Sequence, residues 1–195
     1  MVELSIKATI HPRLKSILRD LGPLARRELF SVGGAALASK VRSHLRNIGA
    51  SRHRTASALG ARPTGHIAKG ASRVTCTSTS DSATVSVPIA GISRAFAPLT
   101  LTPKNANALT IPVAAASYGH RVREMQRLGW NIFRPKGHDI LMGSIGGSEA
   151  QALYALKKKV TIRKDRSLLP SNAEVTKSIN MAIGYSIEQH LRRNV

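Results

Sequence analysis

Cysteine is all but missing from this sequence. Cys76 stands alone in 195 residues, which excludes an intramolecular disulfide framework and any zinc cluster built from the cysteines of one chain. A reducing cytoplasm is the expected compartment. Aromatic residues make up only 4%, so a core must be filled by Leu, Ile, Val and Ala, which the 42% hydrophobic fraction supplies. No apolar run reaches the roughly 18–20 residues of a membrane span, and Met1–Ile10 lacks the apolar centre of a signal peptide, so neither a membrane nor a secretory role is expected. Acid is the scarcest class of all: 10 Asp and Glu face 30 Lys and Arg, a formal charge of +20. Between Glu28 and Asp81 there is no acid, while Lys40, Arg42, Arg46, Arg52, Arg54, Arg62, Lys69 and Arg73 fall in that gap. Such an imbalance points to a polyanion or an acidic protein as partner.

The scarcity of carboxylates also argues against acid–base catalysis. Asp139 alone directly follows a histidine, and His138–Asp139 reads as a turn into a strand. The histidines are scattered; His120 and His138 have no Asp or Glu at a spacing that completes a metal triad. Cys76 lies in a strand with neither acid nor histidine nearby, and Gly146–Gly147 runs into Ser148–Glu149 without the lysine of a phosphate-cradling loop. No enzyme, no catalytic residue, no metal and no cofactor is expected.

What is present is a series of locally marked elements. Val2, Leu4, Ile6, Ala8 and Ile10 alternate with polar residues as in a half-buried strand, and Pro12 with Leu14, Ile17, Leu18 and Leu21 suggests a short helix ended by Gly22–Pro23. Pro23 can open a longer helix whose stripe is Leu24, Leu29, Val32, Ala36, Leu37, Val41 and Leu45, closing near Asn47–Gly49. Gly33–Gly34 inside it predicts a bend or a close approach to another segment. Residues 49–70 show little periodicity and read as an extended basic arm.

Val74–Val87 reads as a hairpin turning at Ser80–Asp81–Ser82, with further strands at Leu99–Thr102, Leu109–Val113, Asp139–Met142 and Tyr154–Ile162, and a flexible connector over 142–151. Ser171 and Glu174 form a capping box ahead of a closing helix on Val175, Ile179, Ala182, Ile183, Ile187 and Leu191, with His190, Arg192 and Arg193 at its negative end.

Two groups of side chains are candidate contact residues. Arg52, Arg54, Arg62 and Lys69 on the arm suit either an acidic neighbouring subunit, the preferred reading, or the phosphates of DNA, without base readout. Arg121, Arg123, Arg127, Arg134 and Lys136 surround Trp130 and Phe133, a mixture found on nucleic-acid platforms. In a chain this poor in aromatics, Trp130 is read as packing.

Four stretches carry a resemblance: ARPTGHIAKGA at Ala61–Ala71, GISRAFAPLTLTPKNANALTIPV at Gly91–Val113, SYGHR at Ser117–Arg121 and VTIRKDRSLLP at Val160–Pro170. In this order the sequence resembles the Mu-type phage virion-morphogenesis or tail-completion family, with the departure that Ala97–Pro98 follows Phe96 where a glycine pair is common. The resemblance implies an α+β fold, an antiparallel sheet packed against two or three helices with a long basic arm, in a single assembly domain over 1–195. It implies a structural virion protein of a tailed bacteriophage, a tail terminator or neck protein. Such a subunit forms a homo-oligomeric ring, six-fold favoured over twelve-fold, that caps the tail tube and joins the head connector. Non-specific contact with genomic DNA and location in the virion, after assembly in the host cytoplasm, would follow. The alternative is a small RNA- or DNA-binding protein of ribosomal type, for which such basicity is ordinary.

Overall fold

A computed structural model describes residues 21–48 and 54–193, except the side chains of His190, Leu191 and Arg193. The strand expected at Val2–Ile10, the helix expected after Pro12 and Arg52 lie outside the described residues. The fold is α+β, with every strand pair among the described residues antiparallel. The described residues fall into two compact units: 21–48, 66–97 and 165–193 in the first, 54–65 and 98–164 in the second.

In the first unit, helix α1 (Pro23–Asn47) opens on Pro23 and runs through the glycine pair without interruption. Gly33 and Gly34 serve two different neighbours. A β-carbon on Gly33 would lie 3.2 Å from Ile183 and 3.4 Å from Ile179, and one on Gly34 would lie 2.5 Å from the Cys76 sulfur. The first neighbour is the closing helix and the second is the hairpin, which is why two adjacent residues lack side chains here.

That hairpin, β1 (Thr75–Ser78) with β2 (Ala83–Ser86), is paired from Thr75↔Ser86 to Ser78↔Ala83, and Thr79 closes its turn on Ser82. The closing helix, Asn172–Arg193, begins at the expected box: the Ser171 amide donates to Glu174 Oε2 at 3.0 Å and the Glu174 amide to Ser171 Oγ at 3.3 Å. It runs antiparallel to α1, since Gly33 faces Ile183 while Lys40 pairs with Glu174 at 3.0 Å. Val41, Leu45, Val74, Val85, Val87, Leu168, Val175 and Ile183 fill the core between these elements, aliphatic as the shortage of aromatics requires.

The stretch expected as an extended arm is divided. Helix α2 (Arg54–Ala58) belongs to the second unit and buries Ala56, whereas helix α3 (His66–Gly70) belongs to the first and buries Ile67 and Gly70. A β-carbon on Gly70 would meet Ile89 at 2.7 Å, so α3 is seated against the core and does not project from it. Periodicity could not reveal helices barely one turn long.

The second unit is built on a four-stranded sheet in the order β4-β7-β6-β5: β4 (Leu109–Pro112), β5 (Asn131–Phe133), β6 (Ile140–Ser144) and β7 (Gln151–Lys157). Helix α4 (Val122–Arg127) packs Met125 and Val122 on it. The β6–β7 register shifts between Leu141↔Tyr154 and Met142↔Ala152, leaving Leu153 as the extra residue of a bulge. Leu153 and Tyr154 are therefore buried in succession, against the usual alternation.

The connector expected over 142–151 is a hairpin whose ends belong to β6 and β7. Its turn is Ile145–Ser148, closed by the Ser148 amide on Ile145 O at 3.0 Å, with Gly146 at φ 57° and Gly147 at φ 78°. Positive φ at both central residues matches the twist of the flanking strands and calls for the Gly–Gly pair. The single strand expected over Tyr154–Ile162 is likewise two. After Lys158–Lys159 the chain leaves β7, and β8 (Val160–Ile162) pairs with β3 (Leu99–Leu101) as a separate ribbon.

Candidate contact surfaces

Ser117 is the one buried polar residue among the described residues, and it anchors the basic face of the second unit. Its hydroxyl lies 2.6 Å from Leu153 O and 3.0 Å from Ala114 O. The Tyr154 hydroxyl donates to His120 O at 3.0 Å, so the SYGHR stretch is pinned to β7 at both ends. Burial, with Glu124 adding to it, raises the Tyr154 phenol above its usual range and keeps it a donor. The Arg121 amide donates to Glu124 Oε2 at 2.8 Å and starts α4.

From there Arg123 and Arg127, four residues apart on a short helix, share an exposed face opposite buried Met125. Arg134 and Lys136 follow on the β5–β6 connection. Arg134 is held by Asp139 and by His138 O, each at 2.9 Å, so its charge is already partnered.

Gly119 joins this face to the preceding basic segment. At φ 81° it has no side chain, and a β-carbon there would come within 2.8 Å of the Thr64 methyl. Arg54 and Arg62, both exposed, thus lie in the same unit as Arg121, Arg123 and Arg127, on a segment that touches the SYGHR turn. Lys69 is exposed but belongs to the first unit, which separates it from the group the sequence suggested. Trp130 is half-buried and packs on Met125, Leu153 and Tyr154; Phe133 remains 43% exposed.

Charge is distributed accordingly. The described residues of the second unit hold 13 Lys and Arg against three acids, Glu124, Asp139 and Glu149. Glu124 lies 4.0 Å from His120 Nδ1, and Asp139 is paired with Arg134. Five of the 13 cations, Lys157, Lys158, Lys159, Arg163 and Lys164, cluster about β8. Sequence alone does not mark them as a site, because their segment reads as the end of a single strand.

No group of three His, Cys, Asp or Glu among the described residues could hold a metal ion, and no described helix is long and apolar enough to cross a membrane. Cys76 is half-buried against Gly34; burial raises its thiol above the usual range, with Arg42 opposing.

The four motif stretches pack in two pairs. Ala61–Ala71 touches Ser117–Arg121 through Thr64 and Gly119, while Gly91–Val113 and Val160–Pro170 meet in the β3–β8 ribbon and where the Asp165 amide donates to Arg94 O at 2.8 Å. Comparison with family models, with curated proteins and with solved structures finds no match for this chain.

Proposed function

We propose that this chain is a structural protein of a tailed-phage virion, a tail-completion or neck subunit that closes into a ring, six-fold in preference, between the tail tube and the head connector. The ordered set of four motif stretches carries this reading, and the packing of these stretches in two pairs supports it, because segments that meet in space are constrained together. In this role the subunit works by geometric closure: one patch meets a different patch on the next copy, and the exposed arginines of the second unit face an acidic neighbour or the genome. Mass photometry of the purified full chain should show discrete rings without nucleic acid. Removing the gene from its phage should leave full heads beside unattached or overlong tails.

The excess of 13 cations over three acids among the described residues of the second unit favours a second reading, a small RNA- or DNA-binding protein of ribosomal type. Stoichiometric RNA binding by a monomer at physiological salt would establish that reading and overturn ring assembly.

A further inference from the structure

The β3–β8 ribbon belongs to neither basic group considered so far, and its pattern is strict. β3 reads Leu99–Thr100–Leu101 and β8 reads Val160–Thr161–Ile162, in the register Leu99↔Ile162, Thr100↔Thr161 and Leu101↔Val160. One face is aliphatic. The other carries Thr100 and Thr161, both exposed, with hydroxyls 3.2 Å apart. Lys157, Lys158 and Lys159 precede β8 and Arg163 and Lys164 follow it, all five exposed.

Continuing the alternation past each end of β8 puts Lys159 and Arg163 on the threonine face. Four residues of strand span about 13 Å, so the ribbon offers two groups of cations that far apart with hydroxyls between them. No ion pair among the described residues involves any of the five cations. The only acids near them in sequence are Glu149 and Asp165, and Asp165 is engaged by Arg94 at 3.9 Å.

We infer that the threonine face of the β3–β8 ribbon is a contact site for the backbone of double-stranded DNA. The major groove of B-form DNA is about 12 Å wide and admits a two-stranded ribbon, so cations about 13 Å apart can reach the phosphates on both of its rims while Thr100 and Thr161 face the groove floor. Three-residue strands with one hydroxyl each carry too few groups for base readout, so binding here is independent of sequence. A-form RNA fits poorly, because its major groove is too narrow and deep for side chains to read. The inference goes beyond ring assembly: it stands or falls with the ribbon, whether or not subunits close into a ring.

The test uses the full chain and a fluorescent mixed-sequence DNA duplex of about two helical turns, with affinity followed by anisotropy between about 50 and 200 mM salt. The variant Lys157→Gln, Lys159→Gln, Arg163→Gln should flatten the slope of log affinity against log salt by about 2–3, at about 0.9 for each phosphate no longer neutralised. A control, Arg27→Gln, Arg46→Gln, Lys177→Gln, removes the same charge from exposed positions of the first unit and should change the slope by less than about 1. Circular dichroism of both variants should match the parent. An unchanged slope in the ribbon variant, an equal loss in both variants, or tighter binding to an RNA duplex of the same length would each overturn the inference.

Discussion

Gly34 of α1 stands so close to Cys76 of β1 that a β-carbon on the glycine would lie 2.5 Å from the cysteine sulfur and 2.8 Å from the Ala83 β-carbon. The long helix can lie against the hairpin only because that position is bare. Gly34→Ala should therefore lower stability even though alanine is the better helix former, a preference worth about 1 kcal/mol. Overpacking costs about 1–3 kcal/mol. Adding Cys76→Ala should restore part of the loss and leave the part due to Ala83. Urea unfolding of the parent, single and double variants measures this, and an unchanged midpoint for Gly34→Ala would sink it.

The same close approach governs the thiol. Burial raises the pKa of Cys76 and the Arg42 guanidinium opposes that shift. Aromatic disulfide reagents at mildly alkaline pH should label Cys76 slowly in the folded protein and rapidly in urea. Arg42→Met should slow native labelling further, by removing the charge that favours the thiolate. It should also lower stability by about 1–3 kcal/mol, because Arg42 Nη2 donates to Val74 O at 2.7 Å. Equal labelling rates in folded and unfolded protein would contradict this.

Glu174 gives the closing helix a pH dependence. Hydrogen bonds from the Ser171 backbone and side chain and from Lys40 lower its carboxyl to about 2 from an ordinary value of 4.5. A lowered folded pKa means that the stabilisation is complete above pH 4.5 and is lost as pH falls towards about 2. Melting temperatures of the parent and Glu174→Gln should differ most above about pH 5 and converge near about pH 2; a gap independent of pH would refute this. Ser171→Ala should cost about 1 kcal/mol through loss of the cap.

Gly143 marks the corresponding close approach in the second unit, where a β-carbon would lie 2.5 Å from Leu153 Cδ1 and 3.3 Å from Asn131 O. Gly143→Val should disrupt the sheet at its bulge. Trp130, the only tryptophan, packs on the same core and reports the change. Its fluorescence transition should shift to lower urea, and retention of the parental midpoint would count against the packing described.

Arg54 and Arg62 are exposed, and neither forms an ion pair among the described residues. Replacing both with Ala should leave folding stability within about 0.5 kcal/mol while weakening ring assembly in mass photometry. Loss of the circular-dichroism signal would show that they support the fold instead.

The elements that sequence alone determined are those decided within a few residues. Pro23 starts α1, the Ser171–Glu174 box starts the closing helix, and Ser80–Asp81–Ser82 turns the hairpin, each through a backbone donor satisfied locally or a φ already set. The excess of basic residues was legible too, because charge scarcely depends on fold. Tertiary structure decided what relies on distant partners. Thr161 meets Thr100 across 61 positions, splitting one expected strand into two and turning a run of lysines into the rim of a ribbon. Thr64 lies against Gly119, which joins Arg62 to the SYGHR turn, while Lys69 goes with the other unit. Leu153 and Tyr154 are buried side by side only because a bulge sets them so. Local patterns specify which residues can form a helix or strand; which strand pairs with which depends on the packing free energy of the folded chain, and no short window of sequence contains it.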